Sequence, residues 1–362
     1  MRFGGGGRRA RSASPASPLV CRWDLDKTYL RSEFTTLRQL LRTAFERPDQ
    51  KVDVPGVAEL IRALKAAAAA RGQTALVYFV SASPPQIGKA IRAKLALDGV
   101  PYDGIVFKDQ LAHLKRGKLR NLREHVGFKL VELLRGHQAV PAETRELCFG
   151  DDWESDSLIY SLYADVLAGR LAPAPLTTIL TRIRVDPLLV SQVIGLATQV
   201  PRRDAVERIF INLDRRTPPA TFRLFGPRVV PTFNYFQTAA VLAVMGRLRL
   251  EDVGRVGTVL VERSGYTARR LENSLDDLVR RGLLSLPAAE RLAAPLRASG
   301  LLSPLPSPRS RWRRALGRLG RWRRPVRPRT RPAAEPGPLD YDAILARVHP
   351  GARHVAASGG TP

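Results

Sequence analysis

Between residues 19 and 168 the chain alternates short apolar runs with segments in which apolar residues recur every three or four positions. The short runs predict four buried strands, which are Leu19–Trp23, Ala75–Val80, Gly104–Phe107 and Glu146–Phe149. The periodic segments predict five helices, which are Leu30–Phe45, Val57–Ala70, Gln86–Asp98, Lys129–Gly136 and Ser155–Ala168. Because strands alternate with helices, we expect an α/β fold with a Rossmann-like parallel sheet sandwiched by helices. Ligands of such sheets bind beyond the carboxyl ends of the strands.

The pattern becomes mainly helical after the segment Pro173-Ala174-Pro175. The helices predicted there are Val185–Val200, Tyr235–Leu248, Leu250–Glu262 and Thr267–Leu284. We therefore expect a disordered basic extension, the parallel-sheet domain, a mainly α-helical accessory domain, a disordered Pro- and Arg-rich basic segment and a short terminal segment, with the bounds 1–18, 19–172, 176–300, 303–338 and 339–362.

The positive charge of the chain is unevenly distributed. The formal net charge is +26, and eleven arginines lie between Arg309 and Arg331 with no acidic residue among them. Such a segment favours polyanions, although a solvated linker has the same composition. Within residues 311–324, Trp312 and Trp322 share an apolar stripe at helical spacing among arginines. This stripe favours an anionic membrane surface as a partner, with nucleic acid as the second possibility.

Two cysteines, Cys21 and Cys148, both lie in predicted strands, so we expect no disulfide framework and favour the cytoplasm. The Gly- and Arg-rich start has no apolar signal core. The uncharged stretch from Val229 to Gly246 contains Pro231 and fits a buried helix better than a membrane span. We expect a cytoplasmic protein that the basic segment can bring to the membrane periphery.

Two carboxylates, Asp24 and Asp26, stand where the first predicted strand opens into a loop, in the string Asp-x-Asp-x-Thr that ends at Thr28. Paired carboxylates allow one group to attack as a nucleophile while the other transfers a proton. The structural alternative is that these aspartates cap the turn.

A hydroxyl-bearing turn follows the second predicted strand at Ser81-Ala82-Ser83. Hydroxyl and backbone N–H groups in such a turn can bind phosphate oxygens, although a serine there can equally cap the next helix. Further along, Lys129 stands at the start of a predicted helix, where the helix dipole disfavours a positive charge. Its position indicates a nearby anion, unless the lysine is simply solvated at the surface.

Three carboxylates, Asp151, Asp152 and Asp156, follow the last predicted strand of the first domain. Mg²⁺ prefers one or two protein carboxylates together with water and phosphate oxygens. The alternative for each of these residues is to cap the following helix. The sequence thus predicts an anion-binding and metal-binding edge of the sheet.

In this order, the four motifs resemble those of the haloacid-dehalogenase-like hydrolase superfamily, over residues 19–169. The resemblance implies that Asp24 is a nucleophile that becomes phosphorylated and that Asp26 is the general acid and base. It also implies phosphate contacts from the turn residues and the lysine, namely Thr28, Ser81, Ala82, Ser83 and Lys129. Lys129 would act in catalysis by offsetting charge on the phosphoryl group. Mg²⁺ would be bound through Asp24, Asp26 and Asp151, with Asp152 or Asp156 orienting the metal site.

Finer features resemble the catalytic domain of actin-patch-type phosphatidate phosphatases. They are Phe79–Pro84, the Gly99-Val100-Pro101 step that leads to Phe107-Lys108-Asp109, Lys129-Leu130, and Gly150-Asp151-Asp152 through Asp156 to Tyr160. The sequence departs from the pattern in two places: Lys27 replaces an acidic or small residue, and Asp152-Trp153 replaces a small Ser-Gly pair. Either departure could alter the substrate or the activity.

The function expected from this resemblance is a magnesium-dependent phosphatase that acts on phosphatidate or a related phosphomonoester. An alternative enzyme, favoured by the positive charge, would act on nucleic-acid ends or another phosphomonoester. A third possibility is a non-enzymatic binding or regulatory protein with a repurposed hydrolase core, in which Thr267–Leu284 serves as a recognition helix. The structural alternative for that segment is an amphipathic helix that packs against the core.

Overall fold

The structure is a computed structural model. It describes residues 17–25, 28–29, 54–83, 85–108, 119–153, 155–304 and 338–348, with side chains from residue 125 onward in the fifth of these ranges. The predicted acid–base residue Asp26, the neighbouring Lys27 and the predicted helix Leu30–Phe45 lie outside the described residues. The same holds for the basic segment 311–324 and for most of the predicted N-terminal extension.

The described residues form one six-stranded parallel sheet in the order β3-β2-β1-β4-β5-β6. Its strands are β1 Leu19–Asp24, β2 Ala75–Ser81, β3 Gly104–Phe107, β4 Arg145–Asp151, β5 Val206–Asn212 and β6 Val229–Thr232. The chain builds outward from β1 to β3 on one side and then from β4 to β6 on the other. The order therefore reverses between β1 and β4, where parallel sheets open a crevice for ligands.

Helices cover both faces of the sheet. Their bounds are α1 Val57–Ala69, α2 Gly88–Leu97, α3 Leu119–Gln138, α4 Asp156–Leu167, α5 Pro173–Arg182, α6 Pro187–Gln199, α7 Tyr235–Val244, α8 Leu250–Ser264, α9 Ala268–Arg280, α10 Leu286–Ala298 and α11 Tyr341–Val348. One buried apolar cluster joins the sheet to α1, α2 and α7–α10, and a second joins the other face to α3–α6 and α11. The predicted fold class, a helix-covered parallel sheet followed by a mainly helical region, is confirmed.

Two strands lie in the region predicted to be mainly helical, and the buried helix expected over Val229–Gly246 is instead the strand β6 followed by α7. β5 and β6 fall within residues 176–300 and pair in parallel with β4 and with each other. β5 was not predicted because Glu207 and Arg208 interrupt its apolar run. β6 was not predicted because that strand has only four residues and contains Pro231. The division at residues 172–176 consequently falls between two hydrogen-bonded strands of one sheet, and as a division into domains it stays a prediction.

A buried ionic network fixes β1 to β4 and to the helices above them. The Arg22 Nε atom of β1 donates to Glu146 Oε2 of β4 at 2.6 Å. His137 of α3 and Tyr163 of α4 reach the same carboxylate at 2.7 and 2.8 Å. Burial alone would raise the pKa of Glu146, but Arg22 and His137 lower it from 4.5 to about 2. Glu146 is therefore a carboxylate at neutral pH, and the network ties together the two strands at the centre of the sheet.

No helix among the described ranges is both long enough and apolar enough to span a bilayer.

Candidate active site

The central strands bring three of the predicted site residues to one edge of the sheet. Asp24 is the last residue of β1, Ser81 the last of β2 and Asp151 the last of β4. All three side chains are buried. Because parallel neighbours are in register, with Asp24 opposite Val80 and Trp23 opposite Phe149, the strand ends stand side by side at the topological switch point.

Lys129 lies between two carboxylates of this edge. Its Nζ atom is 2.7 Å from Asp24 Oδ1 and 2.7 Å from Asp156 Oδ1, and its side chain is 1 % exposed. Burying the ammonium group costs free energy that these two ion pairs offset. Lys129 is thus at the centre of the site. It lies within α3 and not at the start of a helix as predicted, because α3 begins at Leu119, earlier than the apolar periodicity indicated.

Three carboxylates of the site could hold a metal ion. Asp24, Asp151 and Asp156 each place one oxygen within 4.8 Å of the others, and all three are buried. One lysine cannot balance three carboxylates, so a divalent cation would stabilise the cluster. The all-oxygen donor set suits a hard cation such as Mg²⁺. The residues therefore fit the predicted kind of cofactor.

Gly150 allows Asp156 to approach the end of β4. Asp156 Oδ2 accepts a hydrogen bond from the Asp151 backbone N–H at 3.2 Å. A Cβ atom added to Gly150 would lie 2.5 Å from the Asp156 Cβ and Oδ2 atoms, closer than such atoms can come. The glycine of the Gly-Asp-Asp motif is therefore required for this contact, and Asp156 fixes the backbone that carries Asp151.

Asp152, predicted as a possible metal-site residue, makes its hydrogen bonds to a different part of the chain. Its Oδ1 atom accepts from the Arg215 N–H at 2.9 Å, and its Oδ2 atom accepts from the Thr217 N–H at 3.0 Å. Both of its oxygens thus bind the loop after β5. Of the two candidates for the supporting acid, the structure brings Asp156 rather than Asp152 into the group of three carboxylates.

Thr28 hydrogen-bonds the candidate metal-binding carboxylate. Its hydroxyl donates to Asp151 Oδ2 at 3.4 Å, while the Trp153 backbone N–H donates to Asp151 Oδ1 at 2.6 Å. The Thr28 carbonyl in turn accepts from the Tyr235 hydroxyl at 2.7 Å. Tyr235 begins α7, beyond the first predicted domain, and no local pattern in the sequence connected it with the site.

The turn after β2 is held in a defined conformation. Ser81 Oγ accepts from the Ser83 N–H at 3.0 Å, and the Lys108 N–H donates to the carbonyls of both serines at 3.1 Å. Ser81, Ala82 and Ser83 are all buried. The three residues predicted to contact phosphate are thus at the same edge as Asp24, and their role as phosphate ligands stays a prediction.

Two tyrosines beside the cluster remain neutral phenols. Burial, and next the charge of Asp156, raises the pKa of Tyr160 well above its ordinary value. Burial, and next the charge of Asp151, does the same to the pKa of Tyr235. The Tyr160 hydroxyl donates a hydrogen bond to the Phe149 carbonyl at 3.2 Å. These side chains stabilise the backbone around the site without adding negative charge to it.

The Trp153 side chain stands outside the cluster. Its indole N–H donates to Asp214 Oδ2 at 2.8 Å, and the Arg215 guanidinium lies 4.8 Å from its ring centre. The residue pair that departs from the expected Ser-Gly therefore connects the β4 loop to the β5 loop. The Trp153 side chain thus stabilises the contact between these two loops and takes no part in the carboxylate group.

The site thus combines a buried lysine with three carboxylates at the edge of a parallel sheet where ligands bind. Residues 23–172 match the family described as phosphatidate phosphatase APP1, catalytic domain. The resemblance inferred from the motifs is confirmed for this segment, which contains Asp24, Ser81, Lys129, Asp151 and Asp156, and it implies a phosphatase enzyme. No curated protein and no solved structure matches the chain.

Proposed function

We propose that the protein is a magnesium-dependent phosphatase that acts through a phospho-aspartate at Asp24, with phosphatidate or a related phosphomonoester as substrate. The observation that supports this most strongly is the buried group of Asp24, Lys129, Asp151 and Asp156 within the segment that matches the phosphatidate phosphatase family. An acid–base residue two positions after the nucleophile, Asp26, goes with phosphoryl transfer in the resembled superfamily.

In the first step of the proposed reaction, a carboxylate oxygen of Asp24 attacks the phosphorus atom. The bond between phosphorus and the ester oxygen breaks, and the leaving oxygen takes a proton from Asp26. In the second step, water attacks the phosphorus of the aspartyl-phosphate while Asp26 takes a proton from that water. Inorganic phosphate leaves, and the Asp24 carboxylate is restored.

The side chains around Asp24 have separate roles in this proposal. Lys129, 2.7 Å from Asp24, offsets the charge on the transferring phosphoryl oxygens. Ser81, Ala82 and Ser83 bind those oxygens through hydroxyl and backbone N–H groups, together with Thr28. Mg²⁺, held by Asp24, Asp151 and the carbonyl of Asp26, would neutralise phosphate charge and align the phosphoryl group. Asp156 orients both Lys129 and the backbone of Asp151.

A lipid substrate is supported by the family match and by the amphipathic basic segment 311–324. The nucleic-acid-end alternative is supported by the net charge of +26, and it differs in substrate but not in chemistry. Phosphate release from phosphatidate vesicles, measured beside release from a 3′-phosphorylated oligonucleotide, separates the two.

The test of the mechanism is Asp24→Asn, which is nearly isosteric but removes the nucleophile. We expect magnesium-dependent phosphate release to disappear while the fold persists. The matched control is Asp340→Asn: Asp340 accepts the Ala343 N–H at 3.0 Å at the start of α11, where asparagine caps equally well. Wild-type turnover in Asp24→Asn would contradict the mechanism. Turnover of no phosphomonoester by the wild type would favour the non-enzymatic alternative.

A further inference from the structure

A cleft of about 740 Å³ opens beside the carboxylate cluster, at the carboxyl ends of β5 and β6. Its walls come from the loops after these strands, the end of α8 and the first turns of α9. Asn212, in the floor of the cleft, is the register partner of Asp151 on the neighbouring strand. Adjacent strands are about 4.8 Å apart, so the cleft adjoins the proposed metal site without including it.

Three exposed arginines line the cleft: Arg216, Arg263 and Arg270. None of them has a carboxylate partner within the described ranges. Arg270 is held against the cleft wall by the Tyr266 ring, 4.3 Å from the guanidinium carbon. Three cations that line one cavity and form no ion pairs of their own with described residues favour an anionic ligand.

The acidic residues of the cleft do not cancel this charge. Asp277 forms ion pairs with Arg280 and Arg281, and it also accepts a hydrogen bond from the Gln237 side-chain N–H at 3.1 Å. Asp214 lines the cleft and accepts the Trp153 indole N–H at 2.8 Å. The three arginines therefore leave the cleft with an excess of positive charge.

The floor of the cleft contains a polar side chain with no hydrogen-bond partner in the described part of the chain. The Asn212 side chain is 6 % exposed, lines the cleft and makes no hydrogen bond to any described residue. The side-chain N–H of Asn212 can therefore donate to an oxygen of a ligand in the cleft, in place of water. The lining also includes the apolar Val54 and Leu260, which suit the organic body of a ligand.

We infer that this cleft is a second ligand site, which binds a phosphate-bearing organic molecule through Asn212 and the three arginines. Guanidinium groups recognise phosphate by charge-assisted, bidentate hydrogen bonds. The phosphate could belong to a soluble metabolite or to a lipid headgroup at a membrane surface. Binding here requires neither magnesium nor hydrolysis, so the inference stands apart from the proposed reaction.

The test measures binding of glycerol 3-phosphate to the full chain by calorimetry in the presence of a chelator. The variant Arg216→Gln/Arg263→Gln/Arg270→Gln should bind at least about tenfold more weakly than the wild type, because three charge-assisted contacts are lost. The control Arg202→Gln/Arg223→Gln/Arg291→Gln removes the same charge from exposed arginines that do not line the cleft, and should bind like the wild type.

Two further variants locate the binding. Asn212→Asp, nearly isosteric, should also abolish binding because it replaces an N–H donor with a negative charge. Lys129→Met, once circular dichroism shows that it is folded, should retain binding, because Lys129 does not line the cleft. The inference is wrong if the two triple variants bind equally, if Lys129→Met loses binding, or if the wild type shows no saturable binding. None of these measurements depends on turnover.

The source of the phosphate is distinguished by sedimentation with phosphatidylcholine vesicles that contain or lack phosphatidate. The comparison is between the two triple variants, since both retain the basic segment and its general attraction to anionic lipid. Weaker sedimentation of the cleft variant with phosphatidate vesicles would assign the site to a lipid headgroup. Equal sedimentation, together with lost glycerol 3-phosphate binding, would assign it to a soluble ligand.

Discussion

Replacing Glu146 with glutamine should destabilise the fold by disrupting the buried network of Arg22, His137 and Tyr163. The change removes the charge that pairs with Arg22 at 2.6 Å, while Arg22 stays buried at 2 % exposure. Lowering the pKa of Glu146 from 4.5 to about 2 corresponds to about 3 kcal/mol of stabilisation. The usual cost of breaking a buried ion pair, about 3–5 kcal/mol, agrees with this.

The pH dependence of this loss identifies its cause. A carboxylate whose folded pKa is lowered stabilises the protein above its unfolded pKa, and that stabilisation disappears as pH falls through the folded pKa. The difference in unfolding free energy between wild type and Glu146→Gln should therefore be full at neutral pH. It should shrink as the pH falls from 4.5 toward 2. Other carboxylates titrate in both proteins and cancel in the difference.

Urea unfolding followed by circular dichroism measures the effect. The control is Glu143→Gln, three residues earlier and exposed, which should change stability by less than about 0.5 kcal/mol. The double variant Arg22→Met/Glu146→Leu should recover part of the loss, because it leaves no buried charge unpaired. A Glu146→Gln protein as stable as Glu143→Gln at neutral pH would refute the reasoning.

Three further predictions concern activity. Lys129→Ala should lower kcat by about 10²-fold or more, since it removes the cation at 2.7 Å from Asp24; turnover within twofold of wild type would exclude that role. Chelation should abolish phosphate release, and Mg²⁺ should restore it better than Ca²⁺, whose larger and more flexible coordination shell suits in-line transfer poorly; full activity in excess chelator would contradict a metal role. Deletion of residues 303–338 should reduce sedimentation with anionic vesicles and turnover of vesicle-borne phosphatidate but spare a soluble phosphomonoester; unchanged vesicle binding would show that the segment is not the membrane contact.

The sequence was informative about the site because strand ends are local features. Asp24 and Asp151 each follow a buried apolar run, and parallel strands necessarily bring such ends to one edge. The choice between Asp152 and Asp156 was not local. It depends on the loop after β5, whose N–H groups bind Asp152, and on the absent side chain of Gly150.

The second half of the sheet was hidden for a different reason. β5 carries a charged pair within its run, and β6 is too short for periodicity to show. The place of β5 is determined by its pairing with β4, a contact between residues about sixty positions apart, and β6 in turn pairs with β5. Tyr235 and Asn212 lie beyond the predicted catalytic domain, so their proximity to Asp151 could be known only from the fold.

Because β4 pairs with β5, the segment that carries the proposed catalytic residues is shorter than the segment that must fold together. Phe149 of β4 stacks between Trp23 and Phe210, the latter on β5 and outside the matched segment. A chain cut after Ala172 would keep the proposed nucleophile, lysine and metal carboxylates but expose the whole of β4 as a new sheet edge. Bare edges recruit other strands, so such a fragment should aggregate rather than act as a small phosphatase. Any minimal enzyme made from this protein must therefore extend at least through β6.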